Sequence, residues 1–210
     1  EAALSISGVR SDQWELYSWD DRSVQVNVPF APSTAYTVRT VAGVVDREGL
    51  PLDPFTITFT TGALEPYASY AAPNQAGTYA AGVDQLLYFY ATNLSSVDFE
   101  LYALTDADAR RILESGSLPN GTGNETWKPA GEPLRRWTEA VSGARDTVVQ
   151  GVTTLGERGP LAPGAYLVRT PGIPWGAALA FTVVDTAITT KLSNDELLVW
   201  ALDYDSGQPV

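Results

Sequence analysis

Residues 55–60 read Phe-Thr-Ile-Thr-Phe-Thr, with an apolar side chain at every second position. Because successive side chains of a strand point to opposite faces, this alternation predicts a half-buried β-strand. Residues 24–28 (Val-Gln-Val-Asn-Val) repeat the alternation, and residues 36–41 are rich in β-branched side chains. A polar turn at residues 46–49 (Asp-Arg-Glu-Gly) separates two of these runs. Short strands divided by turn residues predict a β-sandwich in this first part of the chain.

The rest of the chain continues the strand pattern. Residues 86–90 (Leu-Leu-Tyr-Phe-Tyr) form a continuous apolar run, which predicts a strand covered on both faces. Before it, residues 63–82 are rich in Ala, Tyr, Pro and Gly, and we interpret them as a linker or an entry segment of the next domain. The last two runs, 187–191 and 196–204, predict paired strands joined at residues 193–195. Further strand-like runs lie at residues 97–101, 134–141, 147–155, 165–170 and 178–184, with a turn expected at residues 93–96.

One helix is predicted, beginning after Thr105. Threonine is a favourable N-cap residue, and Asp106 and Asp108 place carboxylates near the positive end of the helix. Gly116 stands where a helix C-terminus favours glycine. The following residues, 116–132, are rich in Gly, Asn and Pro and predict an exposed loop.

The composition excludes several classes of function. The chain has 210 residues with 25 acidic and 13 basic side chains, and its net charge of −12 opposes binding to nucleic acids or anionic membranes. It has no His and no Cys, which excludes Ser-His-Asp and thiol catalysis, disulfides and ordinary zinc sites. The absence of Met leads us to expect a processed product or part of a longer chain. We assign no catalytic, metal-binding or cofactor-binding residue.

Neighbouring carboxylates are the remaining candidates for chemistry. A glycosidase needs two carboxyl groups that face each other, and neighbours along a strand point to opposite faces, so turns and helix capping are the favoured explanations. None of the pairs has the twelve-residue spacing of a calcium loop. The pairs are Asp20 with Asp21, Asp106 with Asp108, and Asp203 with Asp205.

Two further patterns point to carbohydrate. Asn93, Asn120 and Asn124 each begin an Asn-x-Ser/Thr sequence, the acceptor pattern for N-glycosylation. Trp127 and Trp175 lie within two residues of Pro or Gly, and exposed indole rings at these positions would form a platform for sugars. The alternative is that the tryptophans, which also include residues 14, 19, 137 and 200, pack in a sandwich core or a domain joint.

The first part of the chain resembles the bacterial Ig-like domain. The resemblance rests on residues 35–38 (Ala-Tyr-Thr-Val), on residues 43–52 with their internal Asp-x-x-Gly turn, and on the closing strand at 55–62. It implies an Ig-like β-sandwich over residues 1–63. The first strand of that sandwich is expected to be missing, which would leave an open sheet edge.

The remainder resembles macroglobulin domains. Residues 160–169 (Pro-Leu-Ala-Pro-Gly-Ala-Tyr-Leu-Val-Arg) are similar to the strand that closes such a domain, and residues 99–104 also fit a macroglobulin strand. Residues 185–191 and 197–210 are similar to the opening of the next domain. The resemblance implies an all-β chain with one macroglobulin-like sandwich over residues 64–184, and incomplete opening strands of another at 185–210.

An Ig-like domain followed by macroglobulin domains resembles part of a bacterial α2-macroglobulin-family protein. The resemblance implies a non-catalytic scaffold segment of a broad-spectrum protease trap, in the periplasm or at the cell surface. Its partners would be proteases, through the full-length protein, and neighbouring domains. The family's Cys-x-Glu-Gln thioester cannot lie in this segment, which has no Cys. The alternatives are an Ig-like stalk of a surface adhesin and a carbohydrate-binding accessory module.

Overall fold

The computed structural model describes residues 4–17, 25–40, 43–45, 48–51, 53–71, 76–118, 127–173 and 177–210. The chain divides into two compact units, residues 1–64 and 65–210.

The first unit is built from short strands. The strands are β1 (Leu4–Ile6), β2 (Glu15–Tyr17), β3 (Gln25–Asn27), β4 (Ala35–Thr40) and β5 (Thr56–Thr60). Strands β1, β4 and β5 form one antiparallel sheet in the order β1-β4-β5, and β2 pairs with β3 in an antiparallel hairpin. A 3-10 turn, Ser11–Gln13, follows β1.

An aromatic cluster forms the centre of the first unit. The ring of Phe30 lies 4.7 Å from that of Tyr36 and 5.3 Å from that of Phe59, and the Tyr36 hydroxyl accepts the Ala31 N–H at 2.8 Å. Of the alternating residues that predicted β5, Phe59 is half-buried against this cluster, whereas Ile57 remains exposed. The strand prediction is therefore confirmed, but the cluster covers only one end of its apolar face.

Over its described residues, the second unit contains ten strands and one helix. They are β6 (Tyr67–Tyr70), β7 (Ala76–Ala80), β8 (Leu86–Thr92), β9 (Ser96–Ala103), α1 (Asp106–Ser115), β10 (Arg135–Ala140), β11 (Val148–Thr154), β12 (Gly164–Arg169), β13 (Ala178–Val184), β14 (Thr186–Leu192) and β15 (Leu197–Asp203). This architecture confirms the expected all-β class with one short helix.

Two sheets of the second unit enclose a common core. One has five strands in the order β10-β9-β12-β13-β7, antiparallel except for the parallel pair β13 and β7. The other has three antiparallel strands in the order β11-β8-β6. Alternate residues of both sheets meet in one buried cluster, because each strand turns one face inward. Its members include Leu87, Phe89, Val97, Phe99, Leu101, Val168, Leu179 and Phe181.

Two sequence interpretations are wrong in this unit. Residues 63–82 are not a linker, because β6 pairs with β8 and β7 pairs with β13 within it. Residues 86–90 are covered on one face only: Leu87 and Phe89 are buried, and Leu86, Tyr88 and Tyr90 are exposed. A continuous apolar run does not say whether anything covers its second face. The turn near Asn93 joins β8 to β9 across the two sheets.

The helix and the last strand pair are confirmed. Thr105 caps α1, since its Oγ1 accepts the Asp108 N–H at 3.1 Å and its own N–H donates to the Asp108 carboxylate at 3.2 Å. Gly116 ends the helix with φ of 66°, a left-handed conformation that favours glycine. Strands β14 and β15 form an antiparallel hairpin, called the C-terminal hairpin below.

Candidate functional site

Helix α1 lies over the outer face of the five-stranded sheet. Ile112 of the helix packs on a second apolar cluster that includes Tyr102, Leu167 and Ala180 of the sheet. Arg110 and Arg111 remain exposed on the other side of the helix. The helix is thus amphipathic, with Ile112 half-buried against the sheet and its arginines in contact with solvent.

A groove of about 400 Å³ runs beside the helix. Among the described residues, its lining is apolar or weakly polar and includes no titratable side chain, so these residues offer contact surface and no group for acid–base chemistry. The lining residues are Gly77, Thr78, Leu104, Ala109, Ile112, Leu113, Ala165, Ala180, Phe181 and Thr182.

The same sheet face carries a cluster of charges. Arg169 is only 4% exposed, and its Nε lies 3.6 Å from Oε2 of Glu100. Arg136 bridges Glu100 at 3.3 Å and the exposed Glu132 at 2.9 Å. The Tyr102 hydroxyl donates to Glu100 Oε2 at 2.8 Å. Burial, followed by this hydrogen bond, raises the pKa of Tyr102 to about 12. The cluster therefore ties β9, β10 and β12 together with balanced charges.

Three members of the acidic pairs, Asp106, Asp108 and Asp203, have structural roles. Asp108 belongs to the capping box of α1, and Asp106 lies in its first turn. Oδ1 of Asp203 accepts two hydrogen bonds from Ser206, one from its backbone N–H at 2.8 Å and one from its hydroxyl at 2.7 Å. These bonds lower the pKa of Asp203. Asp20 and Asp21 lie outside the described residues. Within the described ranges, no group of three or more acidic residues has the arrangement of a metal site.

The Asn93 sequon is engaged in a clamp. The side-chain N–H of Asn93 donates to Asp146 Oδ1 at 2.9 Å, and the side-chain oxygen Oδ1 of Asn93 accepts the backbone N–H of Asp146 at 2.7 Å. Both residues have positive φ, 51° and 61°, and the paired bonds stabilise these turns. A glycan on this nitrogen would break the clamp. Asn120 and Asn124 lie outside the described residues.

Two tryptophans in the described part of the second unit, Trp127 and Trp137, fit packing roles better than a sugar platform. Trp127 is half-buried against the cluster under α1. Trp137 stacks on Phe99 with 5.1 Å between ring centroids, and its Nε1–H donates to Thr153 at 2.9 Å. Trp200 is exposed on the C-terminal hairpin. The proposed partner of Trp127, Trp175, lies outside the described residues, as does Trp19.

Arg135 has a role that sequence reasoning missed. Its Nη1 donates to three successive carbonyls, those of residues 154, 155 and 156, at 2.6, 3.1 and 3.0 Å. Its guanidinium carbon lies 4.2 Å from the centroid of Trp137. The signal in the sequence was the doublet Arg135-Arg136, because neighbours in a strand face opposite sides and one of the two must point inward.

No protein-family model matches the sequence, and no curated protein matches it either. No helix among the described residues is long and apolar enough to cross a membrane.

Solved structures of bacterial α2-macroglobulins do match the fold. The MG0-NIE-MG1 domains of native α2-macroglobulin from Escherichia coli align with a TM-score of 0.58 at 15% identity, covering 99% of this chain and 69% of that one. Salmonella α2-macroglobulin reacted with methylamine aligns with a TM-score of 0.66 at 16% identity over 96% of this chain. The native E. coli protein seen by cryo-electron microscopy gives a TM-score of 0.51 at 16% identity over 99% of this chain.

The chain spans 12% of the Salmonella chain and 14% of the E. coli chain in the last two structures. Identities this low show a shared fold, and the coverage extends over both units. Nearly the whole chain therefore resembles, in its fold, a fragment of a bacterial α2-macroglobulin-family protein that spans the MG0, NIE and MG1 domains.

Proposed function

We propose that this chain is a non-catalytic scaffold segment of a bacterial α2-macroglobulin-like, broad-spectrum protease inhibitor. The observation that carries the proposal is the alignment with Salmonella α2-macroglobulin, at a TM-score of 0.66 over 96% of the chain. A fold by itself does not imply a function, so the proposal also depends on how the polar side chains are used.

The use of these side chains supports a scaffold role. Asp108 caps a helix, Asn93 and Asp146 clamp two turns, and Arg135 joins a strand of one sheet to the end of a strand in the other. The charged cluster around Glu100 and Arg169 is balanced within itself. These groups hold elements together, and their hydrogen bonds are already directed to the protein.

We propose the domain limits as residues 1–63, 64–184 and 185–210, the last being the opening of a following macroglobulin-like domain. The C-terminal hairpin supports this limit, because both of its faces are apolar and exposed. Val199 and Leu197 lie on one face, and Trp200 and Leu198 on the other, with 54% to 61% exposure. A two-stranded hairpin is marginally stable in water by itself, so it needs further strands to cover it.

The tail after β15 points to such strands. The Val210 N–H donates to the Ala201 carbonyl at 3.2 Å, and Asp203 N–H donates to the Gln208 carbonyl at 2.8 Å. Residues 208–210 thus run antiparallel to β15 along one edge, as a third strand of a meander would.

The partners of the proposed protein are proteases, which meet the longer polypeptide and not this segment directly. The segment itself has no Cys and therefore holds no thioester. Its net charge of −12 disfavours nucleic acids as partners. We place the protein outside the cytoplasm, in the bacterial periplasm or at the cell surface, where foreign proteases are encountered.

Protease-protection assays test this proposal. The intact polypeptide that contains this chain is mixed with trypsin, and cleavage of a large protein and of a small chromogenic peptide are measured in parallel. A trap encloses the protease, so cleavage of the large substrate is expected to fall while cleavage of the small peptide continues.

The isolated 210-residue chain is the control, and it is expected to slow neither reaction. If the isolated chain blocked both substrates, it would itself be an active-site inhibitor and the scaffold proposal would be wrong. An intact polypeptide that protects neither substrate would contradict the trap function.

A further inference from the structure

The outer side of the three-stranded sheet carries a cluster of exposed apolar side chains, here called the tyrosine face. It consists of Tyr67 of β6, Leu86, Tyr88 and Tyr90 of β8, and Val148 and Val152 of β11. Each of these side chains is between 37% and 60% exposed. The second face of an antiparallel sheet normally carries polar residues when it is in contact with water.

The strand register makes these residues neighbours. Val152 lies directly opposite Tyr88, and Gln150 lies directly opposite Tyr90. Thr92 lies between Val148 on one side and Tyr67 on the other. Side chains directly opposite on antiparallel strands have Cβ atoms about 4.5–5.5 Å apart, so the six residues form one surface.

The tyrosine face carries no charge. The three strands read Tyr-Ala-Ser-Tyr, Leu-Leu-Tyr-Phe-Tyr-Ala-Thr and Val-Val-Gln-Gly-Val-Thr-Thr, although 18% of the whole chain is charged. Depletion of charge and enrichment in tyrosine are the compositional features of the centre of a protein–protein interface. Tyrosine suits such a surface because its ring packs while its hydroxyl remains satisfied.

The size of the face identifies the kind of partner. The exposed parts of the six side chains amount to roughly 500 Å², given that a large aromatic side chain buries about 150–250 Å² in full. A stable complex between separate proteins needs about 800 Å² from each partner. Two copies of a chain with a net charge of −12 also repel each other. Two such faces bury roughly 1,000 Å² in total, which fits contacts between domains of one polypeptide, at about 600–1,500 Å².

We infer that the tyrosine face is the docking surface for an apolar, uncharged face of another domain in the same polypeptide. The inference rests on the proposed function, which makes this chain part of a longer protein. It is consistent with the share of the Salmonella chain that this chain spans, 12%. A covalently linked domain loses little further translational freedom on docking, so a face of this size suffices.

The test compares chemical labelling of tyrosines in the isolated 210-residue chain and in the intact polypeptide. Tyr67, Tyr88 and Tyr90 are modified in the isolated chain, as their exposure requires. In the intact polypeptide their modification is expected to slow by at least about tenfold, the factor that corresponds to about 1.4 kcal/mol of docking free energy. Equal rates in the two proteins would overturn the inference.

A charge-pair variant sharpens the test. The double variant Tyr88→Glu/Val152→Lys places opposite charges on directly opposed residues, so the isolated chain should retain its Tm within a few degrees. In the intact polypeptide the same variant should return Tyr67 and Tyr90 to the labelling rate of the isolated chain. The matched control is Thr138→Lys, which pairs with Asp98 on the outer face of the other sheet and should leave labelling unchanged.

The outcomes separate this inference from the proposed function. If Y88E/V152K has no effect on labelling in a longer polypeptide, the docking surface is wrong and the proposed function stands. If the native protein consists of only these 210 residues, both the docking surface and the proposed function are wrong. Light scattering shows whether the isolated chain is a monomer or a dimer, and so whether a second copy occupies the tyrosine face. A dimer that Y88E/V152K abolishes would overturn the assignment to a linked domain.

Discussion

Arg135 joins the two sheets of the second unit through one side chain. It lies on β10 of the five-stranded sheet, and its Nη1 donates to carbonyls at and beyond the end of β11 in the other sheet. Arg135→Ala is expected to lower the free energy of unfolding by about 2–3 kcal/mol, because hydrogen bonds to a charged group contribute about 1.5–3 kcal/mol and the partly buried carbonyls of residues 155 and 156 lose their donor. Urea unfolding followed by tryptophan fluorescence measures the change.

The neighbouring arginine is the control for that prediction. Arg136 points to the opposite face and pairs with Glu132 and Glu100 while 60% exposed. Arg136→Ala should lower the free energy of unfolding clearly less than Arg135→Ala does, because exposed ion pairs contribute little. If the two alanine variants lose the same free energy of unfolding, the three carbonyl contacts of Arg135 add no stability beyond that of an exposed ion pair.

Because of Tyr102, the free energy of unfolding is expected to fall as the pH rises above 10. Its pKa is about 12 in the folded chain, against an ordinary value of 10.0, because of burial and then the hydrogen bond to Glu100. As pH rises, the unfolded chain therefore loses this proton first. The contribution of Tyr102 is complete below pH 10 and is lost between pH 10 and 12.

Tyr102→Phe tests that dependence. The free energy of unfolding is measured at pH 8 and pH 11 for both proteins, and the native chain should lose more stability over this interval than the variant. A variant that loses as much as the native chain would show that Tyr102 does not carry the effect.

Strand β11 contains a glycine that the core requires. Gly151 lies directly opposite Phe89, whose ring is buried and would lie 2.2 Å from a Cβ atom at that position. Gly151→Ala is expected to destabilise the second unit by about 1–3 kcal/mol through overpacking. Gly131→Ala, where nothing lies within 4 Å of the added Cβ, is the matched control and should be close to neutral. Thermal unfolding of both variants measures the difference, and a neutral Gly151→Ala would mean that the ring moves freely.

At the same scale, β8 shows the limit of pattern reasoning. Its five-residue apolar run predicted burial on both faces, whereas the structure covers only Leu87 and Phe89. The same apolar residue types occur in a central strand that is buried on both faces and in a strand that has one face exposed for an interface. What lies above the sheet decides between the two, and this is not a local property of the strand.

The whole chain is expected to unfold in two steps, because each unit has its own core. Leu101 is 1% exposed in the core of the second unit, and Leu101→Ala should lower the Tm of that transition by several degrees. Tyr36→Phe removes the acceptor of the Ala31 N–H in the first unit, so it should lower the Tm of the first unit and leave that of the second unchanged. Differential scanning calorimetry of the two variants tests this. A single transition that shifts in both would show that the units unfold together.

The sequence alone determined the class of this protein and most of its elements. Alternating and continuous apolar runs predicted the strands, and Thr105 and Gly116 marked the ends of the one helix, because these signals depend on neighbouring residues. The absence of His and Cys excluded whole classes of chemistry, because no other side chain supplies an imidazole or a thiol. Motifs distributed along the chain were also sufficient for the resemblance to α2-macroglobulins, which the structural similarities support.

Only the tertiary structure decided which strands share a sheet and which faces are covered. Residues 63–82, whose composition favours a linker, contain two strands, and one of them pairs in parallel with β13, about a hundred residues further along the chain. Arg135 and its carbonyl acceptors come from different sheets, and the tyrosine face exists only because three strands lie side by side. Contacts between residues distant in sequence depend on how the strands assemble, so local patterns carry no record of them.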